Sequence, residues 1–292
     1  MMRPKSPNSI NPKLLLIIVL ISSFLLFILR SIILSTSTQV IDINPPPRST
    51  NKSKDCSLDC AKIPTSLSEA IIHYATSTIT PQQTLKEISV TSKVLDKKSP
   101  CNFLVFGLGH DSLMWHSLNH GGRTLFLEED EAWIEQIKRR FPMLESRHVS
   151  YDTKVSQANA LIESGKSPEC VAISDLRHSI CALALKGLPR DVYETQWDLI
   201  MVDAPTGYYE EAPGRMAAIY TAGMIARNRD GGGGETHVFV HDVNREVEDK
   251  FSREFLCEGY MKKQEGRLRH FVIPSHRDHL DKPFCPLVEK AT

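Results

Sequence analysis

Short apolar runs recur along the chain with amphipathic stretches between them, and this alternation sets the architecture. Asn102 to Phe106, Thr124 to Glu128 and Leu199 to Val202 are apolar at nearly every successive position, the mark of strands covered on both faces. Further strands are predicted near His148, over His237 to His241 and over Leu268 to Ile273. Helices are predicted over Glu131 to Arg140, Val155 to Glu163 and Asn244 to Cys257, the last stopped by Gly259. Met216 to Ala226 is apolar almost all round, so that helix is expected inside the fold rather than on it. Before the first strand, Ser66-Leu67-Ser68-Glu69 has capping-box spacing and Thr80-Pro81-Gln82-Gln83 puts proline at a first helical position, which predicts two leading helices. Taken together, the β-α alternation predicts an α/β fold, a mostly parallel sheet with helices on both faces.

The N-terminus follows a different pattern. Leu14 to Leu34 is an apolar run broken only by serines and Arg30; as a helix it reaches about 32 Å, the hydrocarbon thickness of a bilayer. Arg3, Lys5 and Lys13 precede it, so the positive-inside rule leaves residues 1–13 in the cytosol and sends the rest of the chain to the other side. No clear small-x-small cleavage site follows, which favours an anchor at 14–34 over a cleaved signal peptide. Residues 35–64, with Pro45-Pro46-Pro47 and many Ser and Thr, read as an extended stem carrying the sequon Asn51-Lys52-Ser53. Residues 65–292 remain for one sizeable domain. The expectation is a single-pass, type II membrane protein whose folded part lies in the lumen of the secretory pathway. Its seven cysteines are expected to pair there, although spacing does not fix the partners. Basic and acidic residues balance at 35 each, which gives no general attraction to nucleic acid.

Chemistry is concentrated at the strand ends. The first strand runs into Gly107-Leu108-Gly109-His110-Asp111-Ser112, and the second ends at Glu128. Glycines here keep the backbone open to a ligand, and a carboxylate about 20 residues on accepts hydrogen bonds from ribose hydroxyls. A dinucleotide fingerprint needs a third glycine where Ser112 stands, and Asp111 puts an anion where a diphosphate should lie. Gly107, Gly109, Asp111 and Glu128 therefore predict a site for S-adenosylmethionine, which has adenine and ribose but no phosphate.

Asp203 and Asp242 close the fourth and fifth strands, and in an open parallel sheet these ends share one crevice with the first two. Methyl transfer to an alcohol requires the hydroxyl proton to leave. His241 is a candidate general base, with Asp203 or Asp242 orienting it or taking the proton; alternatively, Asp203 and Asp242 hold a divalent metal cation that lowers the hydroxyl pKa. The plainer role for Asp242 is to cap the next helix, with Asn244 as another cap. The loop from Asp203 to Arg215, with Tyr208 and Tyr209, is expected to form a lid or acceptor wall. Arg215, Arg245, Arg267, Arg269 and His270 are candidate partners for an anionic acceptor. Trp115 and Trp133 are expected to be core packing.

The strings GLGHDS, GGRTLFLEED, YETQWDLIMVDAPTGY, APGRMAAIYTAGM and HVFVHDVNREVEDKF resemble the plant glucuronoxylan 4-O-methyltransferase family from about Cys101 to Cys285, and the short anchor with its stem is similar too. The resemblance implies a Rossmann-like class I S-adenosylmethionine-dependent methyltransferase domain held at the Golgi membrane with its site in the lumen. Its implied reaction methylates O4 of glucuronic acid side chains on glucuronoxylan during secondary cell-wall formation. Gly107, Gly109 and Glu128 match the family's donor positions, and Asp203 and His241-Asp242 match its fourth and fifth strand ends. A looser likeness joins metal-dependent small-molecule O-methyltransferases, which place Asp after the fourth strand and Asp-Asn after the fifth; this chain reads Asp242-Val243-Asn244. The wider family includes xylan-synthesis proteins of the irregular xylem fifteen type, so an assembly protein working beside other xylan-synthesis enzymes is the competing expectation. A nicotinamide oxidoreductase is disfavoured by Asp111 and Ser112.

Overall fold

The computed structural model describes residues 63–230, 234–277 and 282–286. The anticipated anchor at 14–34, the sequon and nearly all of the stem lie outside these residues. No helix among the described residues is long and apolar enough to cross a membrane.

Among the described residues two helices come first, α1 (Thr65–Thr76) and α2 (Leu85–Lys98). Strands and helices then alternate: β1 (Asn102–Phe106), α3 (Ser112–Leu118), β2 (Arg123–Glu128), α4 (Glu131–Arg140) and β3 (Glu145–His148). After α5 (Ala158–Ser164) and the short helices α6 (Pro168–Val171) and α7 (Arg190–Glu194) come β4 (Leu199–Val202), α8 (Met216–Arg227), β5 (Glu235–Val240) and α9 (Glu246–Phe255). The pair β6 (Met261–Glu265) and β7 (Leu268–Pro274) closes the sequence. All seven strands form one sheet in the order β3-β2-β1-β4-β5-β7-β6. Strands β1 to β5 are parallel to one another, and β7 runs antiparallel to β5 and β6. The expected mostly parallel α/β sheet is present, with an antiparallel edge. Periodicity gives no sign of β6 because this edge strand, MKKQE, is largely exposed and has no apolar face to display.

Alternate side chains of the central strands enter two separate cores. Phe103, Val105, Met201 and Phe239 pack with Val90, Leu95, Trp115, Ile134 and Ile137 of α2, α3 and α4. Leu104, Phe106, Ile200, Val202 and Val240 pack with residues of α8 and α9. Burial on both faces is why the strand patterns are continuous rather than alternating. Helix α8 is buried at all 12 positions, as its all-round apolarity predicts. Cys170–Cys181 and Cys257–Cys285 are disulfides, and Cys101 is free and buried.

Both leading helices form, but their start signals differ from the predicted ones. Helix α1 begins after Pro64 with no side-chain cap, and the capping box of α2 joins Thr84 to Glu87 rather than using Thr80 to Gln83. Pro81 and Gln82 instead line a cleft at the C-terminal edge of the sheet, and Gln83 bonds to Asp203. Tertiary contacts outweigh the local helix signal there.

The strand order reverses between β1 and β4, which opens a crevice at their C-terminal ends. Asp203 N and Ala204 N both donate to Phe106 O at 2.9 Å. Gly107 adopts φ +122°, and a Cβ there would stand 3.2 Å from Ala204 Cβ. Glycine at this position therefore serves the close approach of two loops as well as the turn.

Candidate active site

A cleft of about 280 Å³ occupies this switch point, walled by Gly107 to Asp111, Glu128, Trp133, Met201 and Asp203, and by Thr80 to Gln82 from the leading segment. Its acids are Asp111, Glu128 and Asp203, and its lining includes no lysine or arginine. Such a lining repels phosphate and favours a cationic ligand. Burial, aided by the charge of Asp203, pushes Asp111 up to about 6, and burial also raises Glu128. Asp111 Oδ2 accepts from Trp115 Nε1 at 2.8 Å, so the buried indole packs the core and also fixes the acid. Ser112, standing in place of a third glycine, holds the turn by accepting from Gly109 N at 2.9 Å.

Glu128 accepts from Leu108 N at 3.0 Å, Glu129 N at 2.9 Å and Asp130 N at 3.1 Å. A carboxylate has about four acceptor sites, which leaves Glu128 room for one ligand hydroxyl rather than the two anticipated from a ribose. Trp133, expected in the core, is a half-buried cleft wall. Helical spacing identifies its apolar face but not which flank opens onto the cleft.

Beyond Asp203 lies a buried cluster of charge. Arg215 Nη2 sits 3.3 Å from Asp203 Oδ1 and 3.0 Å from Asp242 Oδ2, and its Nη1 donates to His241 O at 2.9 Å. Arg245 and Arg267 hold the two oxygens of Asp242 at 2.9 Å and 2.8 Å. The guanidinium of Arg215 is only 5% exposed, so the expectation that it meets an acceptor carboxylate is corrected: it is the internal counter-ion of two aspartates. Arg245 and Arg267 are 29% and 38% exposed. Arg269 is buried against Asp249, Gln264 and Ser252, and His270 is stacked between His237 and Phe239; neither is open to a ligand.

His241 is fully buried. Its Nδ1 lies 2.9 Å from Asp203 Oδ1, and its Nε2 faces Glu87 Oε2 at 3.8 Å. With both ring nitrogens turned to carboxylates, His241 has no edge toward the cleft, which corrects its assignment as the base that meets the acceptor. Asp203, 22% exposed at its side chain, is the member of the cluster that lines the cleft. Burial acts to raise its pKa, but the His241 hydrogen bond, the Arg215 charge and Gln83 outweigh it and hold the group below its usual value. Asp242 does not cap the next helix. It adopts φ 60° and turns its carboxylate to the arginines, and Arg245 at the helix start makes no side-chain cap.

Asp203, His241 and Asp242 each offer a ligand atom, all within 4.8 Å of one another. His241 Nε2 and Asp242 Oδ2 are buried without a well-formed hydrogen bond. The oxygen and imidazole donors suit a divalent ion, although Arg215 shares both carboxylates. The loop after Asp203 is pinned rather than free: Thr206 N donates to Glu129 Oε1 at 3.0 Å, and Thr153 Oγ1 donates to Pro213 O at 2.8 Å. Tyr208 and Tyr209 are 76% and 50% exposed in this loop.

Sheet order, glycine turn and cleft define a Rossmann-like α/β domain with an acid-lined crevice at its switch point. The chain belongs to the family described as IRX15/IRX15L/GXM, which matches residues 86–271. It is 68% identical to glucuronoxylan 4-O-methyltransferase 1 of Arabidopsis thaliana, over 98% of this chain and 100% of that protein. It is 63% identical to glucuronoxylan 4-O-methyltransferase 2 of the same plant, over 98% of each. Among solved structures, a methyltransferase-like protein of Silicibacter pomeroyi is 16% identical and covers 67% of this chain and 89% of its own, with a TM-score of 0.39.

Proposed function

We propose that this protein is an S-adenosylmethionine-dependent O-methyltransferase that methylates O4 of the glucuronic acid side chains of glucuronoxylan. The observation that carries the reading is a cleft lined by three acids, without lysine or arginine, that ends on Asp203. Family membership and the names of the two Arabidopsis relatives supply the acceptor.

Bound in the cleft, S-adenosylmethionine supplies a methyl group already activated on a sulfonium. Asp111 and Glu128 favour that positive charge, and Gly107 to Asp111 shape the wall beside it. The methyl group would pass to O4 of the acceptor, with the electron pair of the broken carbon–sulfur bond remaining on sulfur. The hydroxyl proton passes to Asp203. A carboxylate held low is a weak base, but an alcohol oxygen that is acquiring a methyl group becomes a far stronger acid than a free alcohol, so the transfer is downhill as the bond forms. Arg245 and Arg267, half-exposed beside Asp242, suit the acceptor's carboxylate. A divalent ion held by Asp203, His241 and Asp242 would supply Lewis acidity at the same hydroxyl.

We infer a lumenal site from the reading of residues 14–34 as a type II anchor, and the Golgi as its compartment from the family resemblance. Two disulfides in the folded part support an oxidising compartment, and other xylan-synthesis enzymes are the expected neighbours.

The test is the full chain with methyl-labelled S-adenosylmethionine and unmethylated glucuronoxylan oligomers. Label is expected on O4 of glucuronic acid, and Asp203→Asn should lower kcat by about 10²- to 10⁴-fold with donor binding retained by calorimetry. Loss of activity on chelation, restored by a divalent ion, would assign the metal. No transfer and no donor binding by the wild type would replace this reading with that of an assembly protein.

A further inference from the structure

We propose that Glu87 is a positioning residue for methyl transfer: from the helix in front of the sheet, its buried carboxylate faces Nε2 of His241 and keeps the Nδ1 edge of that ring on Asp203. The inference rests on the methyltransferase reading of the cleft.

Glu87 is 1% exposed and rigidly held. Its Oε2 accepts from Thr84 N and its Oε1 from Arg267 N, each at 2.6 Å. Two backbone N–H groups thus fix the carboxylate in place, with Oε2 aimed at His241 Nε2 from 3.8 Å. The other ring nitrogen is 2.9 Å from Asp203 Oδ1 and 3.6 Å from Asp242 Oδ1. A proton on either nitrogen therefore faces a carboxylate, and the ring keeps its orientation as the proton load on Asp203 changes during turnover. Other charges around this pair are Arg215, bonded to His241 O and to Asp203, and Arg267, whose Nε is 3.9 Å from Glu87 Oε1.

Gln83, four residues before Glu87 in the chain, grips the opposite side: its Nε2 donates to Asp203 Oδ2 at 3.0 Å. One short segment thus braces Asp203 directly and again through His241. Glu87 touches neither donor nor acceptor, and its action passes through the imidazole.

Glu87→Gln keeps the size and one carbonyl acceptor while removing the charge. It should lower kcat about 10-fold, displace the acid limb of the kcat–pH profile, and leave donor affinity within about twofold. Thr84→Ala opens the same helix cap but keeps the charge, and should leave kcat and its pH profile as in the wild type. The inference is overturned if Glu87→Gln matches the wild type in both, or if Thr84→Ala loses as much. Should Glu87→Gln fail to fold, Glu87→Asp carries the test: it withdraws the charge by one methylene and should shift the profile in the same direction, and a wild-type profile would overturn the inference. The nitrogen-15 shifts of the His241 ring at one fixed pH, which report its tautomer and hydrogen bonding, give a readout independent of turnover. If the wild type transfers no methyl group, the functional reading fails, while unaltered His241 ring shifts in Glu87→Gln would overturn the role of Glu87 itself.

Discussion

Asp111, in the turn after β1, and Glu128, the last residue of β2, line the cleft with backbone and indole donors around them and no lysine or arginine. Asp203 and Asp242, beyond the ends of β4 and β5, are bridged by Arg215, and Arg245 and Arg267 also hold Asp242. Burial raises the first two acids, whereas Asp203 is held low despite burial. An acid left without a counter-ion in a cleft favours a cation from outside. One bridged by guanidinium already belongs to the framework, and its work is geometric. The two halves of one crevice thus divide the reaction: one attracts the charged donor, and the other holds a carboxylate in place for the acceptor.

The comparison breaks most severely at Arg215. Arg215→Met leaves Asp203, Asp242 and the nearby buried Glu248 short of their common cation, and removing one partner of a buried ion cluster costs about 3–5 kcal/mol. Urea unfolding at neutral pH should show that loss. The sign with pH follows from Asp203. Its folded pKa lies below the unfolded value, so its stabilisation is present above the unfolded pKa and is lost as pH falls through the folded one. The difference between wild type and variant should therefore narrow in acid. Equal stabilities at neutral pH would mean that the bridge is not part of the framework.

On the donor side the expected effect is smaller. Asp111→Asn should weaken S-adenosylmethionine binding about 10-fold at neutral pH, about 1.4 kcal/mol, as measured by calorimetry. With Asp111 pushed up to about 6, wild-type affinity should decline as pH drops through that value, because protonation removes the charge that attracts the donor. The variant should lack this dependence. A wild-type affinity flat from pH 5 to 8 would place the donor's positive charge away from Asp111.

These halves also differ in how well they can be read from sequence. Gly107, Gly109, Asp111 and Glu128 fall within one strand–turn–helix–strand unit, where a local string carries most of the geometry. The reaction half is assembled from distant segments. Glu87 belongs to a legible capping box with Thr84, yet nothing near it in the chain points to His241, and Gln83 sits in a stretch whose local signal is helical. Arg215 reads as ligand-facing because most arginines are at surfaces; its burial becomes visible only when the ends of β4 and β5 bring Asp203 and Asp242 together. Disulfide partners were closed to sequence reading for the same reason, and β6 because an exposed edge strand has no apolar rhythm.

Tyr208 belongs to neither half and offers the mildest test of where the acceptor runs. Its ring meets Tyr209 edge to face with centroids 5.1 Å apart, at the exposed tip of a loop held elsewhere by Thr206 and Pro213. The loop does not depend on this ring for its conformation, so Tyr208→Ala should change stability by less than about 0.5 kcal/mol. An aromatic face against a sugar contributes on the order of 0.5–1.5 kcal/mol, by analogy with aromatic pairs. If the loop walls the acceptor, KM for glucuronoxylan should therefore rise about threefold, with donor affinity unchanged. An unchanged KM would move the acceptor path off the loop and toward Arg245 and Arg267, where the framework carboxylate Asp242 already gathers positive charge near the cleft.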